Sequence, residues 1–126
     1  MVIVDTSIWV NSMRTRDDRL SDWMAADLIL QHPFVTAEIS MGSFPSLADR
    51  TRTIDLLDSF EQIEVAAAPA FHEFVAAHSL FGTGIGFADA HLLCACAANP
   101  EAQLVTRDKR LAEQAGRLGL ACELPA

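Results

Sequence analysis

Two short apolar runs that each lead into an acid constrain this chain more than any other feature. Val2-Ile3-Val4 is closed by Asp5, and Leu104-Val105-Thr106 is followed by Arg107 and Asp108. Aliphatic runs without polar alternation belong to strands buried on both faces, the habit of parallel sheets. Ligands of an open parallel sheet bind outside the carboxyl ends of its strands. Asp5 and Asp108 are therefore expected to face one crevice.

The rest of the chain alternates in the same sense. Thr6-Ser7 can cap a helix carrying Ile8, Trp9, Val10 and Met13. A second helix is predicted from Asp17-Asp18, with Leu20, Trp23, Met24, Leu28 and Ile29 on its buried face. Phe34-Val35 reads as short and extended after Pro33, and Thr36 as the cap of a short helix holding Glu38, Ile39 and Met41 and ended by Gly42. Ala48 to Phe60 is helical by pattern, Ile63 to Val65 reads as a strand, and Pro69 suits the first turn of a helix reaching Leu80. A glycine-rich loop, Gly82-Thr83-Gly84-Ile85-Gly86, leads into an apolar helix from Phe87 to Ala98. Leu104 to Thr106 is followed by a helix from Asp108 to Leu118, and Ala121 to Glu123 forms a last edge strand. No linker, repeat or low-complexity stretch divides residues 1–126, so one α/β domain is expected: a three-layer α/β/α sandwich around a mainly parallel sheet.

Two further acids join the first pair. Asp89 opens the apolar helix after the glycine loop, and Glu38 lies among Ala37, Ile39 and Met41. Acids in apolar surroundings must be paired, protonated or bound to a cation. Two carboxylates ~4 Å apart repel by ~4 kcal/mol at an effective dielectric of ~20. Asp5, Glu38, Asp89 and Asp108 are accordingly the candidate metal ligands and catalytic residues. An all-oxygen donor set suits Mg²⁺ or Mn²⁺. Such an ion activates water near neutral pH and neutralises a phosphodiester. It would also bring a polyanion to a chain with 17 acidic and 9 basic residues and a formal charge of −8, which bulk charge alone would not. Each acid also has an ordinary structural reading: Asp5 and Asp108 as helix caps, Asp89 as complement to a helix dipole, Glu38 as a surface residue.

Ser7 and Thr106 are placed to hold a carboxylate or a metal-bound water. Arg14, Arg107, Lys109 and Arg110 are candidate phosphate contacts. His91 follows Asp89 by two residues and is expected on another side of the helix, and the four histidines share no ligand spacing. The glycine loop lacks the GxGxxG pattern and reads as a turn. Cys94, Cys96 and Cys122 read as small buried hydrophobes in a reducing compartment. Trp9, Met13, Trp23 and Met24 read as core. No apolar stretch is long enough to span a membrane and Met1 to Asp5 do not form a signal peptide, so a cytoplasmic location is expected.

In order and spacing, four segments resemble the PIN domain, and within it the VapC-type toxins of bacterial toxin–antitoxin modules. These are Asp5-Thr6-Ser7, Ala37-Glu38-Ile39, the run from Gly84 to Leu92 around Asp89, and the run from Thr106 to Leu111 around Asp108. The resemblance implies an endoribonuclease whose matching carboxylates surround Mg²⁺ or Mn²⁺. It also implies an RNA substrate, a homodimer, and inhibition by a cognate VapB-type antitoxin. The alternative is a catalytically weak PIN-like module that binds RNA or protein without cutting.

Overall fold

The computed structural model describes residues 1–125; Ala126, the last residue of the expected domain, lies outside them. In chain order the elements are β1 (Val2–Val4), α1 (Thr6–Ser12), α2 (Asp18–Ala25), β2 (Ile29–Gln31), α3 (Pro33–Ser40) and α4 (Leu47–Asp58). They continue with β3 (Glu61–Gln62), α5 (Ala68–Ala77), α6 (Phe87–Ala98), β4 (Gln103–Val105), α7 (Lys109–Arg117) and β5 (Cys122–Glu123). The strands form one parallel sheet in the order β3-β2-β1-β4-β5 with helices as flanking layers, the α/β/α sandwich expected from the apolar runs.

β1 sits at the centre because all three of its residues are buried, and Ile3, Leu104, Val105, Leu92 and Leu93 meet in the core. From β1 the chain steps outward through β2 to β3, then returns to lay β4 on β1's other side. The direction of winding therefore reverses between β1 and β4. At such a switch point the helices leave opposite faces and open a crevice beyond the strand ends. Asp5 N–H still reaches the Val105 carbonyl, at 3.0 Å, so Asp5 begins where the β1–β4 ladder stops.

Three predicted elements need correction. Leu28 and Ile29 do not extend the second helix. Asp27 takes a left-handed φ of 56°, Leu28 N–H closes back on the Trp23 carbonyl, and Ile29 pairs with Val2 as the start of β2. Phe34-Val35 is helical rather than extended. Pro33 occupies the first turn of α3 and His32 caps it, its Nδ1 accepting from Phe34 N–H at 2.9 Å. Thr36 is consequently buried inside that helix and accepts a hydrogen bond from Gln31 Nε2. The strand expected over Ile63 to Val65 is Glu61–Gln62, and Ile63 follows it, bonding through its N–H to the Gln31 carbonyl.

Trp9 is core and stacks on Phe60, and Trp23 and Met24 are packed partly against the core, but Met13 is half exposed. Of the three free cysteines only Cys96 is buried, while Cys94 and Cys122 are half-buried. Among the described residues no helix is long and apolar enough to cross a membrane.

Candidate active site

Asp5 is the most constrained of the four acids. It caps α1, is 3% exposed, and both of its carboxylate oxygens are engaged. Oδ1 accepts from Thr6 N–H at 2.8 Å; Oδ2 accepts from the Ser7 hydroxyl at 2.8 Å and the Thr106 hydroxyl at 2.7 Å. Capping and site-building are thus one arrangement here, because the strand end and the helix start are adjacent residues. Ser7 Oγ in turn accepts from Arg107 N–H at 3.0 Å, and Thr106 Oγ1 accepts from Asp108 N–H at 2.9 Å. These two hydroxyls tie the end of β1 to the end of β4.

Glu38 projects from α3 and accepts from the Thr6 hydroxyl at 3.0 Å. Sequence reasoning assigned Thr6 only a capping role. Its place inside the Asp5-Thr6-Ser7 triplet was the signal available. Asp108 caps α7, with Oδ1 accepting from Arg110 N–H at 2.9 Å and Leu111 N–H at 3.3 Å. Asp89 lies in the first turn of α6, after Gly86.

The charges of the other three acids are felt at Asp89. The carboxyl group of Asp89 is pushed up to about 7, first by burial and then by the charges of Asp5, Asp108 and Glu38. Among the described residues none of the four is ion-paired with a lysine or arginine; the ion pairs join Arg16 to Asp18, Arg19 to Glu123 and Arg52 to Asp49. Nor do three acidic, histidine or cysteine side chains among the described residues already stand as a group that could hold a metal ion. Asp5, Glu38 and Asp108 instead accept hydrogen bonds from hydroxyls and backbone N–H groups. The donor set is all oxygen, carries concentrated negative charge and has no protein cation within it, which fits a hard divalent ion.

The basic candidates separate. Arg14 and Arg107 line one hollow of about 280 Å³ with Ser7, Val10 and Asn11, beside Asp5. Arg110 instead reaches the Gly84 carbonyl, at 3.3 Å, and braces the glycine loop against α7. That loop needs glycine at this point, since Gly84 has φ +82° and a Cβ there would lie 3.1 Å from Arg110 Nη1. Lys109 is exposed at the start of α7. His91 is turned away from the acids, as its spacing from Asp89 indicated. It stacks on Phe71 with ring centroids 3.8 Å apart and meets Phe34 and Phe87 edge-on. Its ring lies 6.0 Å from that of His32, a proximity that no spacing in the sequence announces.

Comparison with known proteins gives this geometry a family. The PIN domain family model matches residues 2–117. The chain belongs to the PIN domain family. This PIN domain is 36% identical over 121 residues to Ribonuclease VapC32 of two Mycobacterium tuberculosis strains, covering 96% of the chain and 95% of the relative. Its fold is shared with the chain matched in VapBC2 from Rickettsia felis bound to a promoter DNA fragment (TM-score 0.74, 20% identity, all of both chains). It is shared also with DNA-bound VapBC from Salmonella typhimurium (TM-score 0.69, 17% identity, 98% of each chain).

Proposed function

We propose that this PIN domain is a divalent-metal-dependent endoribonuclease, the toxin of a toxin–antitoxin pair. The observation that carries the reading is a set of four acids with no ion-paired lysine or arginine among the described residues: Asp5, Glu38 and Asp108 held by hydroxyls and backbone N–H groups, and Asp89 with its carboxyl raised first by burial and then by their charges. Likeness to a relative named as a ribonuclease supplies the reaction class.

Asp5, Glu38, Asp89 and Asp108 would hold Mg²⁺ or Mn²⁺. The bound ion would activate water for attack on phosphorus and offset the charge that develops on the phosphodiester. Ser7 and Thr106 fix the Asp5 carboxylate, so that it is already oriented when substrate arrives. A bound cation would favour the charged form of Asp89 by offsetting the charges of Asp5, Asp108 and Glu38, which add to burial in raising its carboxyl. Arg14 and Arg107 hold a phosphate in the hollow beside Ser7 and align the chain on the acids.

An antitoxin of the VapB type is the proposed partner, since the structural neighbours are toxin–antitoxin complexes. A groove of about 500 Å³ lined by Val10, Met13, Ile39 and Phe44 opens beside Glu38 and offers it an apolar seat. A homodimer in the cytoplasm is proposed with it. The exposed Phe81 and Phe87 and the apolar α5, which buries none of its own residues, are the faces available.

Cleavage of single-stranded RNA with Mn²⁺ present tests the assignment. The parent protein is expected to cut, and Asp5→Asn to lose at least about 100-fold in rate, the scale of removing a charge that stabilises a transition state. Equal rates would remove Asp5 from the mechanism. Binding of Mn²⁺ without any cleavage would instead mark a binding module.

A further inference from the structure

A further cavity, of about 340 Å³, lies on the flank of α6. His91, Ala95, Ala98 and Asn99 form one wall, the stretch around Glu64 faces them, and His32 stands at its inner end. Neither imidazole takes part in the chemistry proposed above, yet both are almost fully buried, at 2% and 4% exposure. Buried polar groups in folded proteins are usually satisfied. Here His91 Nδ1 has no hydrogen-bond partner among the described residues.

The protonation of His32 is fixed by its neighbour. Nδ1 accepts the Phe34 N–H that begins α3, so in the neutral ring the proton sits on Nε2. Burial and the nearby His91 keep the ring neutral, with a pKa lowered to about 4. Nε2 is therefore a donor, on a residue that lines the cavity. A metal ion at Nε2 would require the lone pair that this arrangement has turned into an N–H. An anion is disfavoured as well: Glu64 stands at the cavity, and no lysine or arginine occurs between Thr53 and Thr106. Asn99 uses its Nδ2 on the Ala95 carbonyl at 2.8 Å, which leaves Oδ1 free to accept. The alanines opposite Glu64 leave a slot without side-chain bulk. The complementary ligand is flat, uncharged and edged with both N–H and carbonyl or ring-nitrogen groups.

From this lining we infer that the cavity is a subsite for an unpaired nucleobase, with His32 Nε2–H donating to a base acceptor and Glu64 or Asn99 Oδ1 accepting from a base N–H. Its place suits a nuclease. β1 and β2 run parallel, and Asp5 and His32 each follow their strand at the same end of the sheet, as the N-cap of the next helix. The inference rests on the nuclease reading only for the source of the base. That base is either part of the substrate, next to the bond that is cut, or a free nucleoside.

Imidazole NMR signals of the whole protein, titrated with adenosine, guanosine, cytidine and uridine, test the subsite without any cleavage. At least one nucleoside is expected to shift the His32 and His91 signals saturably, and Ala98→Leu, which fills the slot, to weaken that binding ~10-fold or more. Glu64→Gln gives the same reading should the leucine variant not fold: it is expected to change which nucleoside binds best. No shift with any of the four, or shifts unchanged in both variants, overturns the subsite whatever RNA cleavage shows. Mapping of cut sites separates the sources. Loss of base preference at one position in Ala98→Leu, with the overall cutting rate retained, assigns the base to the substrate. Nucleoside binding in a protein that cuts no RNA keeps the subsite for a free ligand and refutes the nuclease reading instead.

Discussion

Replacing Asp89 by Asn should make the metal-free protein more stable while disabling it, and the size of the gain should depend on pH. In the fold the carboxyl of Asp89 titrates at about 7, against 3.8 for the free group. A carboxyl with a raised pKa is penalised in its charged form. The penalty is absent below the unfolded value, grows between 3.8 and about 7, and is complete above that range. At about 1.4 kcal/mol per unit the ceiling is ~4 kcal/mol. Asp89 is only partly buried, and solvent screening brings the expected figure to ~2 kcal/mol. Asp89→Asn removes the charge, so urea unfolding with a chelator present should show the variant ~2 kcal/mol more stable near pH 8, with the gain fading toward ~pH 4. In Mn²⁺ the order should close or invert, because a ligand that binds only the folded parent stabilises it by mass action. A variant no more stable than the parent near ~pH 8, or a gain that ignores pH, would refute the reasoning that burial and then the charges of Asp5, Asp108 and Glu38 raise this carboxyl.

Other expectations follow from the same geometry. Thr106→Val removes a hydroxyl that donates to Asp5 Oδ2 and accepts from Asp108 N–H; it should cost ~1–3 kcal/mol in thermal or urea unfolding, and lower kcat more than it raises KM. Arg14→Ala and Arg107→Ala should raise KM for RNA, leave kcat near the parent's, and each reduce the dependence of binding on log salt by ~1 contact, as read from binding at several salt concentrations. A KM that does not move would take the hollow beside Ser7 off the RNA path.

The parts of the fold that could be read from the sequence are those in which local preference and burial agree. Val2-Ile3-Val4 and Leu104-Val105 are apolar, short and closed by polar residues, and they became neighbouring central strands. β2 was missed because Leu28 and Ile29 continue the apolar spacing of α2. The change of direction lies in the backbone of Asp27, whose left-handed conformation no side-chain pattern reveals. Phe34 was misread because Pro33 signals a break, whereas here it starts a helix whose cap is a histidine. The acids were legible for a simple reason: each stands at a strand end or in a helix, where topology fixes its position. Their hydrogen-bond partners were legible only in part. Ser7 and Thr106 sit beside the acids they serve, but the link from Thr6 to Glu38 spans 32 residues and depends on how α1 and α3 pack. The proximity of His32 and His91 likewise depends on packing, here of α6 against α3, which His32 caps.

The proposed chemistry requires the four carboxylates to hold a divalent ion. Titration of the chelator-treated protein with Mn²⁺, following free ion by electron paramagnetic resonance near ~pH 8, above the titration of Asp89, measures this directly. The parent is expected to take up Mn²⁺ stoichiometrically, and Asp89→Asn and Asp5→Asn to bind at least ~10-fold more weakly. Uptake that is equal in parent and variants, or absent from the folded parent, would contradict the metal centre and the nuclease built on it.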